Sequence, residues 1–366
     1  MRILHVTDSY LPTLGGIELH IRDLAARQRA AGHHVTIATR TPSDASVEPA
    51  ETIEDVRRID GSQRSWLADA SPDVVQAHVS IISPFALATA RRAALRGIPT
   101  VITVHSLWTH VGRLPELARD LWGMRRWNVT WTAVSERAAQ PVRDVLRIPV
   151  SVIPNAVDLA EWAAFDDLPA VEPPHVLSVM RLTSVKRALP LVRTLRRVAR
   201  HAEFTATIVG DGPERGAMER YLRRHALTDQ VRLTGALDRQ EIRRLLEQTS
   251  IFMAPAHRES FGIAALEARA SGVPVIGSSR SGVATFIEHG RDGLLGADDG
   301  ELGVHLLSLL RDSALRERMT WHNRLMPPAY GWDTALERHE RVYLAAAAAH
   351  ERRRSLGTNA RGVLVG

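Results

Sequence analysis

Short runs rich in β-branched residues alternate with stretches of helical spacing, and the alternation occurs twice along the chain. Residues 2–7, 34–39, 74–78, 100–105 and 129–134 are nearly continuous apolar segments of strand length, the pattern of strands buried on both faces. Helix-like stretches lie between them at residues 17–31, 85–96 and 136–147, and a second series follows with strand-like runs at 176–180, 206–209, 231–234, 251–254 and 274–277. Strands separated by helices pair in parallel through right-handed crossovers. The expected fold class is therefore α/β, with two Rossmann-like domains whose parallel sheets face each other across a ligand-binding cleft.

Residues 161–174 are proline-rich, acidic and aperiodic, which marks a linker. The expected division is an N-terminal domain over 1–165, a C-terminal domain over 166–332, a helix over 333–350 packing back on the N-terminal domain, and a disordered tail over 351–366. At 366 residues the chain is long enough for a core in each domain. It has no cysteine, which excludes disulfides, thiolate metal sites and cysteine nucleophiles. No apolar stretch approaches the length of a membrane span, and Met1-Arg2 leads directly into a strand-like run. The expected location is the cytoplasm, with a peripheral position on the inner face of the membrane as the alternative.

The net charge of +6 is uneven. Residues 1–165 hold 18 basic and 17 acidic side chains and the remainder 29 and 24, so the second half suits an anionic ligand. Nucleic acid is not the expected partner, because the arginines are dispersed along helices among acidic residues and no nucleic-acid motif is present. Among the 47 basic residues only Lys186 is a lysine. A compact ammonium retained where every other basic position is arginine points to a site that needs its shape. Arg181, five residues earlier, also follows the end of a strand, where ligands of open α/β sheets bind.

The paired glycines Gly15 and Gly16 open a helix after the first strand, where backbone N–H groups can approach a phosphate or sugar; a plain turn explains them equally well. Glu259-Ser-Phe-Gly-Ile263 leads from a strand into a helix, so Phe261, Gly262 and Ile263 present N–H groups at a helix start. Glu259 and Glu267 could accept hydrogen bonds from different hydroxyls of one ligand, against the simpler roles of dipole partner and solvated helix residue. Arg181 and Lys186 would stabilise the charge that develops on a departing diphosphate. No Asp-x-Asp pair occurs, and neither metal nor other cofactor is expected. His105 and His78 end strands, and only His105 is favoured as functional. Ser135, Glu136 and Asn155 also lie at strand ends, where helix capping and turn formation account for them.

These segments together resemble the retaining glycosyltransferases of family 4, which have the GT-B fold. The resemblance rests on Gly15-Gly-Ile-Glu18, Gly32-His-His-Val35, His105-Ser106, Ala133-Val-Ser-Glu136, Ile153-Pro-Asn-Ala-Val-Asp158, Arg181 with Lys186, Gly210-Asp-Gly-Pro-Glu214, and residues 259–267 followed by Gly272-Val-Pro-Val275. It implies that Arg181 and Lys186 bind the donor diphosphate and Glu267 the ribose. Glu259, helped by the backbone of Phe261, Gly262 and Ile263, would contact donor-sugar hydroxyls. Gly15 and Gly16 would approach the diphosphate or sugar from the other domain, His105 would lie near the reacting centre, and Leu237 could pack on the base. His105, Glu259, Arg181 and Lys186 are thus the expected catalytic group. Two departures stand out: Arg187 replaces the glycine common after the lysine, and the Pro-Glu pair common near Gly282-Val-Ala-Thr285 is missing.

The implied reaction moves a sugar from a nucleotide-diphosphate sugar, a UDP-sugar ahead of GDP-mannose, to a hydroxyl acceptor with retained configuration. The similarity is closest to enzymes that add N-acetylglucosamine to phosphatidylinositol, with the phosphatidylinositol mannosyltransferases also similar, so the acceptor is weighed as a lipid or glycolipid. Trp108, Trp122, Trp127 and Trp131 fall among Arg113, Arg119, Arg125 and Arg126, a composition that suits an anionic membrane surface, although core packing explains such clusters more often. A nucleotide-sugar epimerase of the same fold and a non-catalytic nucleotide-sugar-binding protein are the alternative functions.

Overall fold

The computed structural model describes residues 1–13, 15–43, 55–60, 66–108, 123–163 and 172–362, with side chains as far as Arg352. The chain divides into two compact units, Met1–Asn155 with Trp332–Gly366, and Ala156–Gly331.

The first unit holds β1 (Arg2–Thr7), α1 (Gly16–Ala30), β2 (His34–Thr39), β3 (Val56–Arg58), α2 (Trp66–Ala70), β4 (Val74–Val79), α3 (Pro84–Leu95), β5 (Thr100–Val104), β6 (Thr130–Ala133), α4 (Glu136–Leu146) and β7 (Ser151–Val152). Its strands lie in the order β3-β2-β1-β4-β5-β6-β7, all parallel. Each residue of β4 and β5 is buried, their Val, Ile and Ala side chains in the core and the polar Gln76, His78 and Thr103 paired by hydrogen bonds. Ser135 caps α4 by accepting from the Ala138 N–H, so capping does account for it.

The second unit holds β8 (His175–Val179), α5 (Ala188–Val198), β9 (Thr205–Val209), α6 (Arg215–Arg224), β10 (Val231–Gly235), α7 (Arg239–Glu247), β11 (Ile251–Ala254), α8 (Ile263–Ala270), β12 (Val275–Ser278), β13 (Gly293–Gly296), α9 (Asp299–Arg311) and α10 (Ser313–Leu325). Its strand order is β10-β9-β8-β11-β12-β13, again all parallel. Val176, Ile208, Ile251 and Ile276 from four strands join Leu191, Leu195, Leu306 and Leu309 from the covering helices in one core.

The last helix, α11 (Trp332–Gly362), belongs to the first unit and packs on α1 and β5. Trp332, Ala335, His339, Tyr343 and Ala346 recur at helical spacing and are all buried. Tyr343 and Ala346 share a core with Ile3, Ile21 and Val101. The helix continues past His350 to Gly362, where the sequence predicts a disordered tail from residue 351. No proline interrupts this segment, and its arginines, leucine and alanine favour helix, so the turns already formed propagate through it.

The expected boundary at residue 165 falls instead after Asn155. Trp162 is fully buried, the Arg239 guanidinium lies 5.6 Å over its indole, and the Glu161 carbonyl accepts from Arg243 Nε at 2.8 Å. Burying an indole outweighed the linker-like composition around it. Residues 164–171 of the expected linker lie outside the described residues.

Candidate functional site

Each sheet reverses its strand order once, between β1 and β4 in the first unit and between β8 and β11 in the second. At such a switch point the loops leaving the two strands diverge to opposite faces and open a crevice at the carboxyl ends. The loop after β8 carries Arg181 and Lys186, and the loop after β11 carries Glu259. The structure joins them: Lys186 Nζ meets Glu259 Oε2 at 2.5 Å across the switch point. Both side chains remain partly exposed, and such a pair contributes at most about 1 kcal/mol to stability. A pair this weak, positioned by two loops, is easily reopened by an anionic ligand for the lysine and a hydroxyl for the glutamate.

The cation loop is held by the segment Gly210-Asp-Gly-Pro-Glu214. Met180 N–H donates to Val209 O, Leu182 N–H to Asp211 O at 2.8 Å, and Glu214 N–H to Leu182 O at 3.0 Å. This contact explains both glycines, because a Cβ on Gly210 would lie 1.9 Å from Met180 O and one on Gly212 2.4 Å from Leu182 O. Arg181 is exposed, and its guanidinium has no partner among the described residues. Arg187 adopts the left-handed conformation, φ 62°, that glycine would take, and its guanidinium is bidentate to Asp299. The loop therefore keeps a glycine-like path despite the substitution.

Gly262 precedes α8 with φ 98°, and no side chain caps that helix end. The N–H groups of Gly262 and Ile263 consequently face outward from the helix start. Phe261 is buried against Phe286 and Tyr330, at ring distances of 5.3 and 5.7 Å, which anchors the turn. The segment that lacks the Pro-Glu pair forms a 3-10 turn, and Gly282 N–H donates to Glu259 O at 2.7 Å, bracing the Glu259 loop from behind. Glu267 is buried rather than solvated, with Arg239 Nη2 3.6 Å from its carboxylate. Arg239 also reaches Glu161 at 3.5 Å. Half-buried Leu237 lies next to Asp238, the residue that caps α7. Sequence reasoning did not find Arg239, Trp162 or Asp299, because each acts through a partner distant in the chain.

In the first unit Gly15 is extended, φ −169°, and directly precedes α1, whose first residue is Gly16. Leu14 lies outside the described residues. A Cβ on Gly15 would meet only the movable end of the Glu18 side chain, so the unit itself does not require glycine there. His105 follows β5 and is buried. Its Nε2 is 2.9 Å from His78 Nδ1, His78 Nε2 is 2.9 Å from His5 Nδ1, and His5 Nε2 is 2.7 Å from Gln28 Oε1. Burial pushes His105 down to about 3, with the nearby His339 adding to the effect, and pushes His5 down to about 4. Burial also holds His78 well below its ordinary value. All three are neutral imidazoles at physiological pH. His78, undecided from sequence, is the centre of this chain, and His5 and Gln28 were not foreseen.

Trp131 is buried in β6 and meets Trp108 edge-on at 6.2 Å, so this pair packs as core. Trp127 is half-buried beside the exposed Arg125 and Arg126, whereas Trp122, Arg113 and Arg119 lie outside the described residues. Among the described residues no group of three or more His, Cys, Asp or Glu is placed to hold a metal ion, and no helix is long and apolar enough to cross a membrane.

A parallel-sheet unit with a cation–carboxylate pair at its switch point and an uncapped helix beside it offers the crevice at the carboxyl ends of the strands where open α/β folds bind ligands. Residues 14–161 match the family model described as Glycosyltransferase Family 4, and residues 161–326 match that of Glycosyl transferases group 1. The chain belongs to the family-4 glycosyltransferases. It is 29% identical to the glycogen synthase of Mycobacterium tuberculosis over 94% of this chain and 95% of that protein. It is 24% identical to the phosphatidylinositol N-acetylglucosaminyltransferase subunit of Arabidopsis thaliana over 94% of this chain and 81% of that protein. The structure of the Anabaena HepE protein with UDP and glucose has the same fold, with a TM-score of 0.78 at 18% identity over 94% of this chain and all of that one.

Proposed function

We propose that the protein transfers a sugar from a nucleotide-diphosphate sugar, a UDP-sugar first and GDP-mannose next, to a hydroxyl acceptor with retention of configuration. The observation that carries this reading is the Lys186–Glu259 pair at the β8/β11 switch point. In the bound state Lys186 turns to the diphosphate together with Arg181, and Glu259 accepts from sugar hydroxyls beside the open N–H groups of Gly262 and Ile263. Glu267, paired with Arg239, accepts from the ribose, and Leu237 packs on the base. As the bond from the anomeric carbon to the diphosphate breaks, the acceptor oxygen attacks from the same face. Its proton passes to the departing phosphate oxygen, so no protein nucleophile and no metal is needed. UDP is favoured because similarly folded proteins have been solved with UDP and UDP-glucose.

A panel of UDP, GDP and their sugar conjugates, read by thermal shift on wild type and on Lys186→Ala, tests the donor site. At a hundredfold excess over its Kd, a nucleotide adds about 2.7 kcal/mol to stability, so UDP is expected to raise Tm in wild type and not in the variant. No rise with any nucleotide would sink the diphosphate assignment. Product analysis then separates transfer from epimerisation, which changes the sugar without consuming an acceptor.

The favoured acceptor is a lipid or glycolipid hydroxyl at an anionic surface, for which exposed Ile81 and Ile82 after β4, and Arg125 and Arg126 near β6, are suited. Sedimentation with anionic liposomes at low salt is expected to pellet the protein. Failure to pellet would remove the lipid acceptor and leave sugar transfer standing.

A further inference from the structure

Nine groups of the first unit form one buried hydrogen-bonded line, and its direction follows from its fixed end. The Thr132 hydroxyl donates to the Ile102 carbonyl at 3.3 Å, and a carbonyl can only accept. Its 2.9 Å contact with Thr103 must then be a bond donated by Thr103. Thr103, its proton spent, accepts from Gln76 Nε2 at 2.8 Å. That turns Gln76 Oε1 toward the Tyr343 hydroxyl, which donates to it. Tyr343 in turn accepts from Gln28 Nε2 at 2.9 Å, leaving Gln28 Oε1 to accept from His5 Nε2 at 2.7 Å. A neutral imidazole has one N–H, so His5 Nδ1 accepts from His78 Nε2, and His78 Nδ1 accepts from His105 Nε2. Each proton is used once, and the line ends at a lone pair on His105 Nδ1.

That nitrogen is buried and has no hydrogen-bond partner among the described residues. His20, whose ring meets His105 edge-on at 6.0 Å, also has an Nδ1 without a partner among the described residues. Buried polar atoms are almost always paired, and an unpaired one costs free energy until something reaches it. His105 follows β5 at the carboxyl end of a parallel sheet, the end at which ligands are met.

We propose that this line fixes His105 as its Nε2–H tautomer, so that Nδ1 accepts a hydrogen bond from a hydroxyl of the carbohydrate substrate. His78, His5, Gln28 and Tyr343 are positioning residues that act through His105, and their role rests on the sugar-transfer reading above. The line runs from an imidazole at the sheet end to a backbone carbonyl of β5 itself, so the carbonyl sets the tautomer through side chains of β1, β4, β5, β6, α1 and α11.

Two conservative variants test it. Tyr343→Phe removes the hydroxyl that links the two glutamines. Thr132→Val removes the donor to Ile102 and frees Thr103 to donate to Gln76, which permits the whole line to reverse. Both replacements keep the buried shape, and the two sites are independent should one variant fold poorly. With 15N-labelled histidine, two-bond proton–nitrogen correlation at pH 7.5 is expected to show His105 wholly as the Nε2–H tautomer in wild type and as a mixture in both variants. Transfer kcat/KM is expected to fall by about tenfold, the worth of one good hydrogen bond, while the Kd of UDP, which lacks the sugar, stays unchanged. A proton on His105 Nδ1 in wild type, or an unshifted tautomer in both variants, would overturn the relay. A shifted tautomer with unchanged transfer would overturn its part in the reaction. Because the tautomer is read without turnover, failure of the sugar-transfer reading is told apart from failure of the relay.

Discussion

Arg187 is held at φ 62° and ψ 39°, a conformation that costs a residue with a side chain about 1–2 kcal/mol. Its guanidinium is engaged by Asp299 at the first position of α9, and that ion pair offsets part of the strain. Arg187→Gly is therefore expected to change stability by less than about 1 kcal/mol in either direction. Asp299→Ala is expected to cost about 1 kcal/mol in wild type and only a few tenths in the Arg187→Gly background, where the helix-end charge alone remains. Equal costs in the two backgrounds, by urea denaturation, would show that the ion pair contributes nothing. Gly210 is the contrasting case, because its left-handed φ of 126° and the 1.9 Å approach to Met180 O leave no room for relaxation. Gly210→Ala is expected to cost about 2–4 kcal/mol and to weaken UDP binding by displacing the Arg181–Lys186 loop. Lys186 could be singled out because it is the one lysine, and Glu259 from the loop that carries it; that the two meet across 73 residues could not be foreseen, because nothing local to either residue encodes the meeting.

At the scale of elements, all ten strands predicted from apolar runs are present, and their ends differ by no more than a residue or two. Their legibility has a physical cause: a strand covered on both faces is predominantly apolar, and its few polar side chains must find buried partners. The strands that escaped notice are β3, β7 and β13, which are short and lie at sheet edges or carry glycine at both ends. Short edge strands bury little, so they leave little pattern. Helix α11 shows the opposite regime, since its one-sided stripe both predicts it and docks it. Ala346→Arg places an unpaired charge in that core and is expected to cost about 3–5 kcal/mol, whereas Leu344→Arg, two positions away at 62% exposure, is expected to stay within about 0.5 kcal/mol. Similar losses from the two substitutions would refute the docked face.

For the molecule as a whole, the first unit concentrates neutral histidines. His5 is pushed by burial to about 4, His20, His105 and His339 to about 3, and His78 well below its ordinary value. Above pH 6.5 these groups are neutral whether the chain is folded or not, and their burial carries no proton penalty. As pH falls below 6.5 the unfolded chain takes up protons that the folded chain refuses until about pH 3–4. Stability is thus lost across that window, at up to about 1.4 kcal/mol per pH unit for each histidine. The urea midpoint is expected to fall steadily from pH 6.5 to pH 4.5, with proton uptake on unfolding. A midpoint unchanged between pH 7.5 and pH 5 would show that these imidazoles are hydrated or already charged.

The sequence alone was sufficient for the two parallel sheets, for the loops at their carboxyl ends, and for the residue types offered there, because periodicity and strand length are local consequences of burial. Tertiary structure decided which of those residues meet. The Lys186–Glu259 pair depends on β8 and β11 being neighbours at a switch point. Trp162 joins the second unit through Arg239 rather than remaining in a linker. The histidine line depends on β1, β4 and β5 lying side by side, with α1 and α11 bringing Gln28 and Tyr343 to close it. Contacts between residues far apart in the chain exist only once strand order and register are set, and no local property of the sequence specifies them in advance.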